Sequence, residues 1–293
     1  MRINPDNSPD LLAALSQTQE QQNTAELQIG TGLRINKPSD DPAGAAALTF
    51  IHDYSSQSDS FLHSIGDVEG QMQVADSTLN SAVLAIQRAM TLGVEGATGT
   101  LSDDNRAAIA DEVSGIRQQL VSLANVSYQG RFIFSGTAQQ QPFVEDASQS
   151  SNVRYDGNTG VNQVSIGIGY QLQVNLPGSQ VFSAAGSDAF QALTDLINAL
   201  KDNTGIDTAN TELRAAFDNL TSQRVFYGNA LNQLNSQQTY LNNEKLQLSS
   251  QENSVAGVDM AAAASQLVNS TNSRNAALAA VGKSNQNNLF DYL

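Results

Sequence analysis

Apolar side chains recur along this chain in two rhythms. Through most of its length they step by four and three residues, which keeps one stripe on one face of an α-helix. Between residues 164 and 176 they fall on every second position, the period of a strand with one buried face.

The first stripe is Leu11, Leu15, Thr18, Gln22, Ala25 and Ile29. Ser8 is a good cap, Pro9 fits the first helical position, and Asp10 suits the positive end of the helix dipole. The middle of this stripe is polar, so the seam is weak. It stops at Gly30-Thr31-Gly32. Pro38 then lacks an amide hydrogen and disfavours helix in Lys37. Asp41 is placed to cap a new helix with Pro42 at its first position. That helix starts near Ala43 and continues past Phe61.

Two cleaner stripes follow, Met72-Ala75-Leu79-Ala82-Ile86-Met90 and, capped by Ser102, Ile109-Val113-Ile116-Leu120-Leu123. In the alternating segment, Val164, Ile166, Ile168, Tyr170, Leu172, Val174 and Leu176 predict a strand, with a turn at Asp156-Gly157. Helical spacing returns at Phe190, Leu193, Leu196, Ile197 and Leu200. The longest signal is Leu213, Phe217, Leu220, Arg224, Tyr227, Leu231, Leu234, Gln238, Leu241, Lys245 and Leu248, which would span roughly 54 Å as one helix. The last stripe is Met260, Ala264, Leu267, Thr271, Arg274, Leu278 and Val281.

These stripes predict a mainly α protein: a long antiparallel helical rod or coiled coil formed by both chain ends, with a small inserted β domain. Residues 1–42 and 255–293 form the terminal coiled coil, 43–136 and 185–254 the helical rod, and 137–184 the β insertion. The insertion, contiguous and flanked by turns, is expected to be dispensable for folding of the rest.

The seams leave a self-contained helical bundle and a subunit that packs against its own copies both open. Composition narrows the choice. The net charge is −15, which leaves no basic footprint for nucleic acid and repels an anionic membrane surface. There is no cysteine, so thiolate metal sites and thiol nucleophiles are excluded. No stretch is as long and apolar as a membrane span. Residues 1–10 lack the pattern of a cleavable signal. Aromatics are 6% and Trp is absent, which is thin for an enzyme pocket.

Candidate chemistry is scarce. His52 and His63 would lie roughly 16 Å apart on one helix, too far to share a metal. Asp40-Asp41 and Asp103-Asp104 stand where helices begin, so capping explains them. Residues 202–207 fail as a calcium loop because Ile206 breaks the alternation of oxygen ligands. Gly30-Thr31-Gly32 has no preceding strand and no third glycine, and Gly167-Ile168-Gly169 sits inside a strand, where it marks a bulge or close packing. The expectation is no catalytic, cofactor or metal site, and no enzyme. The terminal stripes, weak alone, need partners to be stable.

Three stretches carry a resemblance. Leu33-Arg34-Ile35-Asn36-Lys37-Pro38-Ser39-Asp40-Asp41-Pro42 resembles the N-terminal signature of the flagellin superfamily. Gly130-Arg131-Phe132-Ile133-Phe134-Ser135-Gly136-Thr137 resembles a motif of its hook–filament junction branch, hook-associated protein type 3. The ending Leu289-Phe290-Asp291-Tyr292-Leu293 resembles that branch more than filament flagellin. The resemblance implies a structural subunit of the bacterial flagellum, outside the cell, exported without a cleavable signal peptide. It would join the layer of hook-associated protein type 1 to the flagellin filament. Like subunits, those two neighbours and an export chaperone on the C-terminal region would be its partners. The assembly interface is expected at Leu11, Leu15, Ala25, Ile29, Leu33, Met260, Leu267, Leu278, Val281, Leu289, Phe290 and Leu293. The alternatives are filament flagellin and, from another class, a secreted sugar-binding adhesin or enzyme using the β insertion.

Overall fold

The computed structural model describes residues 8–290, with side-chain surroundings given for Asp10 and for residues 12–282. Four long helices dominate: α1 (Ser8–Thr31), α2 (Pro42–Gly96), α6 (Ile206–Ala256) and α7 (Met260–Phe290), with α3 (Asp103–Ala124) and α5 (Ala189–Asp202) shorter. Four two-stranded antiparallel hairpins lie between α3 and α5: β1–β2 (Ser127–Tyr128, Arg131–Phe132), β3–β4 (Phe143–Glu145, Val153–Tyr155), β5–β6 (Gln163–Gly167, Tyr170–Gln173) and β7–β8 (Ser183–Ala184, Ser187–Asp188). The short helix α4 (Gly178–Val181) precedes β7. The expected fold class, mainly α with a small β region, stands.

The chain forms two compact units, residues 1–57 with 243–293 and residues 58–242. In the second unit every seam position expected on α2, α3 and α6 is buried or half-buried, from Met72 to Met90, Ile109 to Leu123 and Leu213 to Leu241. Ser102 accepts a hydrogen bond from the Asn105 amide at 3.3 Å and so caps α3. Asp188 caps α5 through the Phe190 and Gln191 amides.

Two expectations change. The apolar alternation from Val164 to Leu176 is not one strand but the hairpin β5–β6. Gly169, at φ +70°, turns the chain, and Ile168 at the tip is 68% exposed. A tight turn preserves the period-two pattern across it, so periodicity alone does not reveal the fold-back. The bulge expected at the glycines is present as a register shift between Ser165 and Gly167.

Nor does segment 137–184 close a core of its own. Phe143, Val153, Ile166, Leu172, Val174, Leu176 and Phe182 join the same buried cluster as Phe190, Leu193 and the α2, α3 and α6 stripes. Phe182 stacks edge-on against Phe134 and Phe143, with ring centroids 5.1 and 5.7 Å apart. The fully buried Tyr227 on α6 accepts a hydrogen bond from the Leu176 amide, and burial pushes its hydroxyl pKa up. Dispensability of the β segment therefore has no structural basis.

Candidate assembly interface

The first unit is built around α1 and α7, which run antiparallel. Leu33 bridges Gly257 just past the end of α1, and Gln22 meets Arg274 further along. On α1 the expected positions Leu15, Thr18, Gln22, Ala25 and Ile29 are buried or half-buried, and Gln19, Thr24 and Gln28 flank them half-buried. On α7 they are Ala263, Leu267, Ser270, Thr271, Arg274, Ala277 and Val281. Of the expected stripe, Leu267, Thr271, Arg274 and Val281 are half-buried, whereas Ala264 is exposed and Met260 and Leu278 are 51% and 46% exposed. The stripe steps through the neighbouring small residues Ala263, Ser270 and Ala277, which let the two helices approach closely.

The structure therefore sorts the expected interface residues into two sets. Leu15, Ala25, Ile29, Leu267 and Val281 belong to the α1–α7 seam. Leu33, Met260 and Leu278 face outward. The side chains of Leu11, Leu289 and Phe290, and the whole of Leu293, lie outside the described residues. Sequence periodicity missed further outward apolar side chains, Leu12, Leu27, Phe50, Leu246 and Val268, each more than 40% exposed. They fall off the seam, and their only signal is large apolar side chains on faces that a lone helical hairpin would make polar.

The Leu33–Pro42 signature forms a clasp between the two chain crossings in this unit. The Arg34 amide donates to Ala256 O at 2.6 Å, and the Val258 amide to Gly32 O at 3.2 Å. The Arg34 guanidinium reaches both the Asp41 carboxylate (3.1 Å) and the Val255 carbonyl (2.9 Å). Asp40 accepts from the Asn36 and Lys37 amides, and Asp41 accepts from the Gly44 amide as the α2 cap. The Gly44 amide, then Arg34, hold the Asp41 carboxyl below its ordinary pKa. Ile35 is buried, and its side chain lies where a Cβ on Gly44 would intrude. Pro38 and Ser39 stay exposed in the turn, and Pro42 opens α2. The signature thus encodes a joint: two aspartates satisfy the turn and the cap, and one arginine ties the turn to the far end of α6.

The second motif is also internal. Gln129 and Gly130, both at positive φ, form the β1–β2 turn, and Arg131 is exposed. Phe134, Ser135 and Gly136 are buried. Phe134 O accepts from the Gly178 amide and the Tyr155 hydroxyl, at 2.8 and 3.1 Å. Ser135 Oγ lies 2.6 Å from Ala138 O. Gly136 sits at φ +74° with Asn158 against its Cα, so no side chain fits there. The Thr137 amide donates to Asn158 Oδ1 at 2.8 Å.

His52 pairs with Glu252 at 2.8 Å and His63 lies 3.8 Å from Asp67, both exposed. Among the described residues no group of three His, Asp or Glu side chains is placed to hold a metal, and no helix is long and apolar enough to cross a membrane.

Comparison with known proteins gives a consistent picture. Residues 7–139 match the bacterial flagellin N-terminal helical region. The chain is 27% identical to flagellar hook-associated protein 3 of Escherichia coli over 233 residues, covering 70% of this chain and 72% of the relative. Identity to the Salmonella typhimurium protein of that name is 28% over the same shares. Among solved structures, the flagellar junction protein FlgL from Legionella pneumophila aligns with a TM-score of 0.62 at 15% identity, over 72% of this chain and 100% of that one. FlgL from Bacillus cereus aligns at 0.59 and 21%, over 71% and 99%.

Proposed function

Starting from a chain of the flagellin superfamily that resembles hook-associated protein 3, we propose that it is a non-enzymatic structural subunit of the hook–filament junction. It would stand between the layer of hook-associated protein type 1 and the flagellin filament, outside the cell. Segments 1–42 and 255–293 are the assembly module in this reading, 43–136 with 185–254 the helical support, and 137–184 the β part of that support. Copies of itself, the two neighbouring proteins and an export chaperone on the C-terminal region are its partners.

The observation that carries this is the outward apolar set on the first unit. Its two helices meet through the buried Ala25, Ala263 and Ser270 with Leu15, Ile29, Leu267 and Val281 half-buried beside them, while Leu12, Leu27, Met260, Val268 and Leu278 stay in water. Exposed large apolar side chains in such number mark a surface that another protein covers. Filament flagellin is the second reading within the class; the share of the relative that is matched disfavours it, since this chain spans 72% of the Escherichia coli hook-associated protein 3 but 37% of polar flagellin E of Vibrio parahaemolyticus and 47% of flagellin A of Helicobacter pylori.

Electron microscopy of cells lacking the gene tests the role. Hooks without filaments are expected, with filaments restored by the wild-type gene and not by Met260→Glu/Leu278→Glu. Normal filaments in the deletion strain would refute it.

A further inference from the structure

The polar positions midway along the α1–α7 seam are arranged about a single charge. Between Met260 and Gly282 the only charged residue is Arg274. Most positions around that part of α7 face water, yet its one cation sits on the half-buried face. Packing alone does not explain this, because drawing a charge in beside apolar groups is costly. On α1 the charges are of the other sign: Asp10, Glu20 and Glu26, all exposed.

Arg274 Nη1 lies 3.5 Å from Gln22 Oε1. The amide nitrogen of Gln22 points the other way and donates to Glu26 Oε1 at 2.9 Å. Gln22 is thus oriented between a cation and an anion, oxygen toward the one and nitrogen toward the other. One heptad to either side of this contact the seam is apolar on both helices: Leu15 and Ile29 about Gln22, Leu267 and Val281 about Arg274. In an antiparallel pair that step sets Leu15 level with Val281 and Ile29 level with Leu267.

Each helix therefore reads apolar, polar, apolar, symmetrically about its centre. By shape alone α7 could pair with another α7, parallel or antiparallel, as well as with α1. Both arrangements set Arg274 against Arg274 in the middle of an apolar seam. Self-pairing of α1 brings its acidic residues together instead.

We propose that Arg274 decides which helix α7 pairs with. It rejects a second α7 by like charge and accepts α1, whose Gln22 offers an oxygen backed by Glu26. A lone polar residue in a helix seam fixes partner choice in this way at some loss of stability. Leu12, Leu27, Val268 and Leu278 leave both helices apolar on their outer faces, so like ends need a means of staying apart, and the charge supplies one. The inference goes beyond the proposed function: it concerns pairing of the chain's own ends and holds whatever the chain assembles with.

The test uses the purified full-length chain, which has no cysteine of its own. Leu267→Cys and Val281→Cys stand about 21 Å apart along one helix, too far for a disulfide within it. Disulfide-linked dimer under mild oxidation is therefore a measure of α7–α7 pairing. With Arg274 in place the chain should stay monomeric, and Arg274→Leu should raise the dimer roughly tenfold or more. Arg274→Lys, which keeps the charge, should remain at the original level. So should Asn275→Leu, which adds the same apolar side chain at an exposed position. A second pair, Leu15→Cys with Val281→Cys, should close within one chain when Arg274 is present. Equal dimer from Arg274 and Arg274→Leu would overturn the proposal. So would dimer from Arg274→Lys or Asn275→Leu at the level of Arg274→Leu, or failure of the second pair to close.

Discussion

The two units solve the same problem, burying one face of long helices, with opposite materials. The largest fully buried side chains, Tyr227, Phe134, Phe143, Phe182, Phe190 and a set of Ile, Leu and Met, all belong to residues 58–242. Residues 1–57 with 243–293 bury Ala25, Ile35, Ile51, Ala256, Ala263 and Ser270, while Leu12, Phe50, Leu246, Met260, Val268 and Leu278 stay exposed. Both units leave some large apolar groups exposed, but among the described residues only 58–242 bury aromatic side chains completely; the other unit buries Ile35 and Ile51 beside mostly small residues. The α1–α7 pair buries Ala25, Ala263 and Ser270 fully but Leu15, Ile29, Leu267 and Val281 only in part, so it gains less from burial to set against backbone ordering at about 1–2 kcal/mol per residue. On the proposed function, the difference should separate a body that is stable as a monomer from a pair completed by what it touches.

The sharpest way to break this contrast is to remove the hairpins. Replacing residues 138–183 by a Gly-Ser linker strips Phe143, Ile166, Leu172, Val174, Leu176 and Phe182 from the core. It should abolish cooperative thermal unfolding followed by circular dichroism. A retained sharp transition would mean that the helices close a core unaided.

Single truncations come next. Phe182→Ala should cost about 3–5 kcal/mol and Leu234→Ala about 2–5 kcal/mol by denaturant titration. Truncations on the first unit should scarcely move that transition. Hydrogen exchange carries the same contrast into the assembly. Residues 12–29 and 263–281 should exchange quickly in dilute monomer and slowly once assembled, with residues 213–241 protected in both. Strong protection of the ends in the monomer would favour a self-contained bundle.

Smaller is the pH effect at the clasp. The folded Asp41 carboxyl titrates below its unfolded value of 3.8. Its contribution is therefore present above about pH 4 and is lost as pH falls through the lower, folded value. Exchange at residues 32–45 should accelerate in that acid range, and Asp41→Asn should flatten the dependence. Smallest is Asn232→Ala, exposed on α6, expected within about 0.5 kcal/mol of wild type in monomer stability.

How much of this was legible in the sequence follows from the side chains. The α6 seam could be read throughout because Leu213, Leu220, Tyr227, Leu234 and Leu241 are large, regular and buried. The caps at Asp41 and Ser102 could be read because capping chemistry is local. The α7 seam was misplaced at Met260 and Leu278 because a pattern search follows large residues, and here the small ones face inward. The clasp was legible only as a resemblance. Its bonds join Arg34 to Val255, 221 residues apart, and no local rule pairs positions that distant.

That clasp also has a consequence expected for the order of folding. Closing a loop of some 220 residues costs on the order of 5 kcal/mol in chain entropy. Once Arg34 and Leu33 are held against Val255, Ala256 and Gly257, that entropy has already been given up. Thr31 and Met260 then stand as near neighbours, and every later turn of α1 meets its partner turn of α7 as in a hairpin. A pairing that is among the most non-local in the sequence is thereby converted into zippering from a fixed seed, the kind of step that short-range contacts make fast. Growth should then run outward from the clasp and melting inward toward it.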